Sequence, residues 1–304
     1  MATYLQVSDD IAHDIASGAL RPGQELPSLR AAAQRYETTG STIGRAYRHL
    51  AGAGVIDVAD RRRSRVAAGG AAAARHLLDG RPALRLAGSD DPGLDIVLRQ
   101  TESHVLASGT RGSFHGLTRL WRGTADAAAV HLRHRSGAAN SPFARALLRD
   151  RQPAIIHLWR REQGLLTPAG NPGHLTGPGD LRSLRIARRP PGTGTRVLLD
   201  RLLTEAGIPP AAVSGPDAAS HLEVAMSVAC GQADAGLGVR AAAVALDLDF
   251  APVIWEDFDI VLSGEALPAA EALIAALRDP DLRSSVNALG GYDTSRTGSV
   301  EYLT

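Results

Sequence analysis

Residues 27–50 constrain the fold of the chain more than any other stretch. A first helical pattern runs from Ser28 to Tyr36, and a second begins near Thr39 or Ser41. The apolar residues of the second pattern recur at three- and four-residue spacing: Ile43, Ala46, Tyr47 and Leu50. This spacing gives a helix one apolar face. The stretch therefore predicts two short helices joined by a tight turn, with Ser28 capping the first.

The remaining positions of the second helix are polar. They are Ser41, Thr42, Arg45, Arg48 and His49. Short polar side chains at a helix start, followed by arginines, suit a helix lying in the major groove of DNA. Residues 30–66 carry eight arginines against three carboxylates, the charge footprint of a nucleic-acid face. A solvated charged face is the alternative, but the order of the helices and the turn chemistry favour DNA binding.

The composition of the chain excludes several chemistries. All 33 basic residues are arginine, so neither a P-loop nor a pyridoxal-phosphate Schiff base has its lysine. A lone cysteine, Cys230, excludes a disulfide framework and a cysteine-based zinc site. No apolar run is long enough for a membrane span, so we expect a cytoplasmic protein with no membrane partner. We find no catalytic motif, and predict no enzyme, metal or cofactor.

The stretch is flanked by a further helix and by two short strands. The helix covers residues 4–17, and the strands cover residues 55–58 and 64–67. Together, the first ~66 residues resemble the GntR-type winged helix-turn-helix. The residues that carry the resemblance are Leu20-x-Pro22-Gly23-x-x-Leu26-Pro27-Ser28-x-Arg30 and Ser41-Thr42-Ile43-x-Arg45-Ala46-Tyr47-x-x-Leu50, followed by Gly54. The resemblance implies contact with a double-stranded DNA operator.

Two positions depart from the usual pattern of that family. Gly40 stands where the family usually has an arginine, and the wing reads Arg61-Arg62-Arg63-Ser64 instead of Gly-Arg-Gly-Thr. Arginines at the wing favour contact by charge. The predicted DNA-binding residues are Ser28, Arg30, Thr39, Ser41, Thr42, Arg45, Arg48, Arg61, Arg62 and Arg63.

The composition divides the chain into a head at residues 1–68, a linker at 69–83 and a larger domain at 84–304. The linker is rich in alanine and glycine. From Leu84 onward, short apolar strands alternate with amphipathic helices, the pattern of an α/β domain. The predicted elements include a helix over Leu94–Ala107. Predicted strands lie at Ala154–Leu158, Ala233–Leu237, Ala251–Ile254 and Ile260–Leu262.

The segment Arg188–Arg196 is the clearest candidate for ligand binding. It follows a predicted strand and opens a helix, so free N–H groups and the hydroxyls of Thr193 and Thr195 would form an anion pocket. The glycines, including Gly194, allow close backbone approach. The alternative is a tight turn capped by Thr195 with a solvated Arg196. The segment resembles the Ser-Gly-Thr loop of type 2 periplasmic binding proteins for oxyanions.

Residues 84–298 as a whole resemble the PBP-like domain found behind helix-turn-helix heads and fused to molybdenum-cofactor biosynthesis proteins. The residues that carry this resemblance are Leu86-Ala87-Gly88-Ser89-x-Asp91, Gly123-x-Ala125-Asp126, Arg161-Glu162-Gln163-Gly164, Gly192-x-Gly194-Thr195-Arg196, Ala233-Asp234-Ala235-Gly236 and Gly290-Gly291-Tyr292-Asp293. The implied fold class is α/β, with an N-terminal winged helix-turn-helix plus a two-lobed type 2 periplasmic-binding-protein-like domain. We expect lobe one at 84–160 and 255–304, and lobe two at 161–254.

In such a fold, several turns would converge on one cleft. The predicted ligand-binding residues are Ser89, Asp90, Ser113, His115, His131, Arg161, Thr193, Gly194, Thr195, Arg196, Asp234 and Tyr292. Structural alternatives stay open for several of them. The two histidines could be hydrogen-bonded core residues, Arg160 or Arg161 could pair with Glu162 or Asp257, and Tyr292 could close the core. The pair Asp90-Asp91 reads equally as turn and surface acids.

These features predict a ligand-responsive, DNA-binding transcription regulator that acts as a homodimer. The PBP-like domain that the chain resembles also occurs fused to molybdenum-cofactor biosynthesis proteins. This suggests a small anionic effector such as molybdate, tungstate or a molybdenum-cofactor-related compound. The alternative is a ligand-binding or cofactor-handling protein of molybdenum-cofactor metabolism with a non-specific DNA-binding head.

Overall fold

The computed structural model describes residues 2–58, 63–79, 83–101, 104–110 and 112–303. The chain forms two compact units. The first contains the residues up to Leu86 together with Thr101–Gly109, and the second contains Ala87–Gln100 and the residues from Thr110 onward. No helix among the described residues has both the length and the apolar character needed to cross a membrane.

The first unit consists of four helices and a two-stranded wing. Its elements are α1 (Tyr4–Ala16), α2 (Leu29–Arg35), α3 (Gly40–Gly52), β1 (Ile56–Asp57), β2 (Arg65–Val66) and α4 (Gly70–Asp79). The wing strands pair antiparallel, with Ile56 opposite Val66. Helix α4 lies within the segment predicted as a linker, and Ala73 and Ala74 of this helix are buried in the core of the unit.

The local sequence explains where the two central helices begin. The Ser28 hydroxyl accepts a hydrogen bond from Ala31 N, and the Thr39 hydroxyl accepts one from Thr42 N. Both satisfy a backbone donor that the first turn of a helix leaves free. The Tyr47 hydroxyl donates to Pro27 O (2.9 Å) and ties α3 to the start of α2. The prediction of two short helices with a cap at Ser28 is confirmed.

The second unit alternates strands and helices. Two strands, β3 (Leu84–Gly88) and β4 (Val105–Thr110), are shared with the first unit. The remaining strands are β5 (Ala127–Val130), β6 (Pro153–Thr167), β7 (Ile186–Ala187), β8 (Ala235–Val239), β9 (Asp249–Ser263), β10 (Tyr292–Asp293) and β11 (Val300–Tyr302). The helices are α5 (Pro92–Gln100), α6 (Ser113–Trp121), α7 (Ser141–Leu147), α8 (Gly194–Glu205), α9 (His221–Ala229), α10 (Arg240–Val244), α11 (Glu271–Arg278) and α12 (Pro280–Ala288).

Strands β6 and β9 form a long antiparallel ribbon that runs through both lobes of this unit. One end of the ribbon pairs with β5, and the other end pairs with β8, which is parallel to β7. Leu117, Val130 and Ile155 belong to the apolar core of the first lobe, and Leu199 and Leu237 belong to that of the second. Arg161 and Glu256 are cross-strand partners near the middle of the ribbon.

Several predicted elements are wrong in extent. The predicted helix over Leu94–Ala107 ends at Gln100, and Val105 begins a strand instead. A short apolar run fits either a helix or a strand, and the sheet decides between them. The two strands predicted at Ala251–Ile254 and Ile260–Leu262 are one strand, β9. The strand predicted at Ala233–Leu237 begins two residues later, at Ala235.

Helix α6 approaches β3 at two glycines, which gives a test of the packing. A Cβ added at Gly116 would lie 2.5 Å from Gly88 Cα. We expect Gly116→Ala to destabilise the second unit by about 1–3 kcal/mol, because neither backbone can yield easily. All three tryptophans lie in this unit, so urea unfolding followed by tryptophan fluorescence measures it directly. Gly179→Ala is the control, since a Cβ added at Gly179 would meet no neighbouring atom within 4 Å. Equal midpoints for the two variants would contradict the close approach.

Candidate DNA interface and ligand cleft

Helix α3 presents a polar face suited to base contact. Ser41, Arg45 and Arg48 are exposed and recur at four- and three-residue spacing, which puts them on one side of the helix. The opposite side, including Ile43 and Leu50, is buried. The Arg45 guanidinium lies 4.3 Å from the centre of the Tyr4 ring. This cation–π contact restricts the arginine before any DNA is bound.

The other residues predicted to bind DNA have mixed surroundings. Ser28 and Thr39 serve as helix caps, and the Thr42 hydroxyl lies 2.9 Å from that of Thr39. Arg30 is exposed. Arg63 is exposed and has its guanidinium 3.9 Å from Glu25. Arg61 and Arg62 lie outside the described residues.

The predicted convergence of loops on one cleft is present in the second unit. Gly112 N donates to Gly88 O (3.1 Å), and Phe114 N donates to Gly192 O (3.2 Å). Gly194 lies so close to the His131 ring that a Cβ there would meet it at 2.5 Å. The loops after β3, β4, β5 and β7 therefore meet at one point.

The loops after β3 and β4 each contribute one buried hydroxyl. The Ser89 and Ser113 hydroxyl oxygens are 2.8 Å apart, and Ser113 Oγ also accepts from His131 N. Ser113 begins α6 and has no exposed surface. Three of the predicted ligand residues are thus hydrogen-bonded to one another at the floor of the cleft.

Arg161 lies at the centre of the cleft and is fully buried. Its Nη1 donates to Asp91 Oδ2 (2.7 Å), and its Nε donates to Glu256 Oε1 (2.8 Å). Glu256 also accepts from Gln163 and lies 3.0 Å from His131 Nδ1. The alternative of a salt bridge to Glu162 or Asp257 holds for Arg160, whose Nε lies 4.0 Å from Asp257. Glu162 pairs with Arg240 instead. The interpretation of Asp91 as a surface acid is wrong, because Asp91 is 1% exposed.

A second buried ion pair joins the two lobes. Both Asp90 oxygens accept from the Arg189 guanidinium, at 2.5 and 3.1 Å, and His221 N donates to Asp90 at 3.3 Å. Arg189 is 2% exposed. Asp90 follows β3 in the first lobe, whereas Arg189 follows β7 in the second. We did not select Arg189, Glu256 or His221 from the sequence. Arg189 lies within the predicted segment Arg188–Arg196, but nothing near Glu256 or His221 marks them in the sequence.

Several buried polar atoms of the cleft have no hydrogen-bond partner within the described part of the chain. They are Thr195 Oγ1, Arg161 Nη2, Arg189 Nε and His221 Nδ1. Buried polar groups are nearly always hydrogen-bonded to protein, water or a ligand, so a set of free ones at one place marks a position where water or a ligand can bind. Of the four residues, Thr195 and Arg161 were predicted from the sequence. No group of three potential metal ligands is placed together among the described residues.

Four predicted ligand residues have other surroundings. Asp234 precedes β8 and pairs with Arg185 (2.6 Å) at the start of β7, so it lies at the opposite end of these parallel strands from Arg189. Arg196 pairs with Asp200 (2.8 Å). Tyr292 donates to Asp91 (3.2 Å) and packs edge-on against Trp159, as the core alternative predicted. His115 lies half-buried in the first turn of α6.

The electrostatics of the cleft keep Asp90 and Glu256 ionised, whereas burial raises the pKa of Asp91. Burial by itself raises the pKa of Asp90, but two neighbours outweigh burial and lower it to about 2: His221 when its ring is protonated, and the Arg189 guanidinium that donates hydrogen bonds to Asp90. Burial likewise opposes ionisation of Glu256, yet His131 and Arg161 lower its pKa to about 2. Burial lowers the pKa of His221 well below its usual value. The histidine is therefore neutral at pH 7, and one of its ring nitrogens carries no proton.

These shifts predict how stability depends on pH. A carboxylate with a depressed pKa stabilises the fold above its unfolded value, near 4, and this contribution is lost as the pH falls toward 2. We expect Asp90→Asn to cost about 3 kcal/mol at pH 7, because Arg189 stays buried without its partner, and clearly less at pH 3. Urea unfolding followed by tryptophan fluorescence at both pH values measures the difference. Asp249→Asn, at an exposed site, is the control. Equal losses at both pH values would contradict the assignment.

Comparison with known proteins identifies both parts of the chain. Residues 96–278 match the PBP superfamily domain, and residues 3–66 match the bacterial regulatory proteins of the gntR family. The uncharacterized protein YvgK of Bacillus subtilis (strain 168) is 34% identical over 230 residues, which cover 73% of this chain and 74% of YvgK. An uncharacterized protein in the ferredoxin 2Fe-2S gene 5′ region of Clostridium pasteurianum is 31% identical over 109 residues, 34% of this chain and 96% of that protein.

Among solved structures, the sulfate-binding protein SubI from Mycobacterium tuberculosis H37Rv shares the fold. Its TM-score is 0.50 at 12% identity, over 69% of this chain and 86% of SubI. The fold predicted from the sequence is confirmed. The combination of a regulator's DNA-binding head with a ligand-binding domain is that of a ligand-responsive transcription regulator and not of an enzyme. The chain belongs to the PBP superfamily domain family and carries a GntR-type winged helix-turn-helix at its N-terminal side.

Proposed function

We propose that the protein binds a DNA operator as a homodimer and responds to a small anionic effector held in the cleft of its second unit. The proposed class of effector includes molybdate, tungstate and compounds related to the molybdenum cofactor. One observation carries the proposal: buried polar atoms without partners, including Thr195 Oγ1 and Arg161 Nη2, lie in the cleft of a binding domain that is joined to a regulator's head. A protein that binds an operator works in the cytoplasm.

The first turn of α8 supports an anionic effector. Thr193 caps this helix by accepting from Arg196 N, which leaves the N–H groups of Gly194 and Thr195 without a backbone acceptor. The N-terminus of a helix carries partial positive charge and favours anions. The Thr195 hydroxyl, 2% exposed, adds a donor at the same place.

For the effector to regulate, it must bind one conformation of the protein more tightly than another. A tenfold difference between the two affinities corresponds to about 1.4 kcal/mol of coupling. By linkage, DNA must then change the affinity for the effector by the same factor. Titrating the effector with and without operator DNA measures this coupling directly.

The exposed face of α3 provides a test of the head. We expect Arg45→Ala to weaken operator binding about tenfold or more, because an arginine that reads a base edge contributes ~1–3 kcal/mol. Arg75→Ala, an exposed arginine on α4, is the control for charge alone. Binding is measured by fluorescence anisotropy on a duplex selected in vitro and on a random duplex.

The random duplex separates this function from the alternative of a cofactor-handling protein with a non-specific head. A regulator prefers the selected duplex by a factor of ~10³ or more at physiological salt. Equal affinity for both duplexes would favour the alternative, and unchanged binding by a folded Arg45→Ala variant would remove α3 as the reading helix.

The cleft is tested with a panel of anions. Molybdate, tungstate, sulfate, phosphate and pterin phosphates are compared by thermal unfolding followed by tryptophan fluorescence. A ligand at 100 times its Kd stabilises by about 2.7 kcal/mol. We expect Thr195→Val to abolish most of this stabilisation, because it removes the free hydroxyl while keeping the volume. Arg196→Ala should have a smaller effect, since Arg196 is held by Asp200. If Arg196→Ala reduced the stabilisation more than Thr195→Val, the anion site would lie nearer to Arg196.

A further inference from the structure

A cavity of about 270 Å³ opens beside the polar cluster of the cleft. We call it the Trp255 cavity. Its wall includes His131, Arg133, Val197, Arg201, Trp255 and Glu256. His131 and Glu256 belong also to the buried cluster around Arg161, so the cavity and the cluster share a wall.

One side of the cavity is a single face of α8. Gly194, Val197, Leu198 and Arg201 line it at the three- and four-residue spacing of one helix face. The face begins at the helix N-terminus, where the Thr195 hydroxyl is free, and ends at an arginine. A molecule with its anionic group at the start of α8 would therefore extend along this face into the cavity.

The size of the cavity exceeds the needs of an inorganic oxyanion. A water molecule occupies about 30 Å³ of the liquid, so four oxygens correspond to roughly 120 Å³. A volume of about 270 Å³ is instead near the lower end of pockets for small organic ligands, which begin around 300 Å³.

The wall has the chemistry of an organic ligand site. Val197, Ile254 and the indole of Trp255 supply apolar surface, and Trp255 is 39% exposed despite its size. Arg160 holds its guanidinium 5.8 Å from the Trp255 ring centre. Arg133 also lines the cavity, and in the described part of the chain it has no carboxylate within ion-pair distance. An aromatic surface next to unpaired positive charge fits a flat organic group bearing negative charge.

The buried cluster behind the cavity is poorly suited to a bare dianion. Its two guanidiniums, on Arg161 and Arg189, already face three carboxylates, on Asp90, Asp91 and Glu256. A doubly charged oxyanion placed there would meet guanidiniums whose charge these carboxylates already compensate. An organic anion avoids this cost, since it needs only the free donors at the edge of the cluster and gains apolar burial in the cavity.

We infer that the Trp255 cavity binds the organic part of the effector, and that the effector is an organic anion with a flat apolar group rather than a free tetrahedral oxyanion. The inference rests on the proposed function, in which this cleft holds the effector.

Phenyl phosphate, methyl phosphate and inorganic phosphate test the inference on the full-length protein. They share the phosphate group and differ in the group that would enter the cavity. We expect phenyl phosphate to bind at least tenfold more tightly than inorganic phosphate by isothermal titration calorimetry. Trp255→Ala should remove this preference, whereas Trp121→Ala, which deletes an exposed tryptophan of α6, should leave it unchanged.

A second variant fills the cavity instead of enlarging it. Val197→Trp places a large side chain at a position that is 42% exposed, so folding should tolerate it. We expect it to weaken phenyl phosphate at least tenfold and to leave inorganic phosphate within a factor of two or three. Equal affinities for all three phosphates in the wild-type protein, with no effect of either variant, would overturn the inference and leave the anionic effector in place. If none of the three phosphates and no oxyanion of the panel binds, the result would count against both the inference and the anionic effector of the proposed function.

Discussion

The fully buried guanidinium of Arg161 is the interaction on which the second unit depends. Removing such a charge from water costs several kcal/mol unless hydrogen-bonded carboxylates compensate for it. Asp91 and Glu256 provide that compensation, and the Phe258 ring lies 4.4 Å from the guanidinium carbon. Asp91 stands at the start of α5, and Glu256 stands opposite Arg161 on the ribbon. One side chain therefore fixes the loop after β3 against the strands that run through both lobes.

The same arrangement determines what the cleft can recognise. Arg161 and Arg189 are already paired, so positive charge alone cannot select the ligand. Among the described residues, what remains free is a small set of directed donors that includes the Thr195 hydroxyl, which adjoins Gly194 of the Trp255 cavity in sequence. Donors that are left unpaired discriminate by geometry, because a ligand that fails to reach them leaves them buried and unsatisfied. The pair between Asp90 and Arg189 also joins the lobes directly, so any anion that competes for Arg189 acts on the contact between them.

Local patterns in the sequence predicted the elements well where one periodicity dominated. The caps at Ser28 and Thr39, the apolar face of α3 and the start of α8 all follow from neighbours within four residues. Prediction failed where the decision lay elsewhere in the chain. Residues 94–107 read as one helix, yet Val105 lies in a strand because the sheet provides its partners. Asp234 was predicted in the cleft, yet it precedes β8 and pairs with Arg185 at the start of the parallel strand β7, at the opposite end of these strands from Arg189.

The sequence by itself determined the kind of protein: the spacing around Ser41–Leu50 and the glycine-rich turn at Gly192–Arg196 are local signals, since capping and helix amphipathicity depend on near neighbours. The tertiary structure alone decided which charges meet. Glu256 lies 95 residues from Arg161 along the chain, and Asp90 lies 99 residues from Arg189. No local pattern encodes such pairs, because they form only when the long antiparallel ribbon and the loops of the two lobes come together in the folded chain. The wall of the Trp255 cavity is of the same kind, for it is assembled from a loop, a helix face and two strands that only the folded chain brings together.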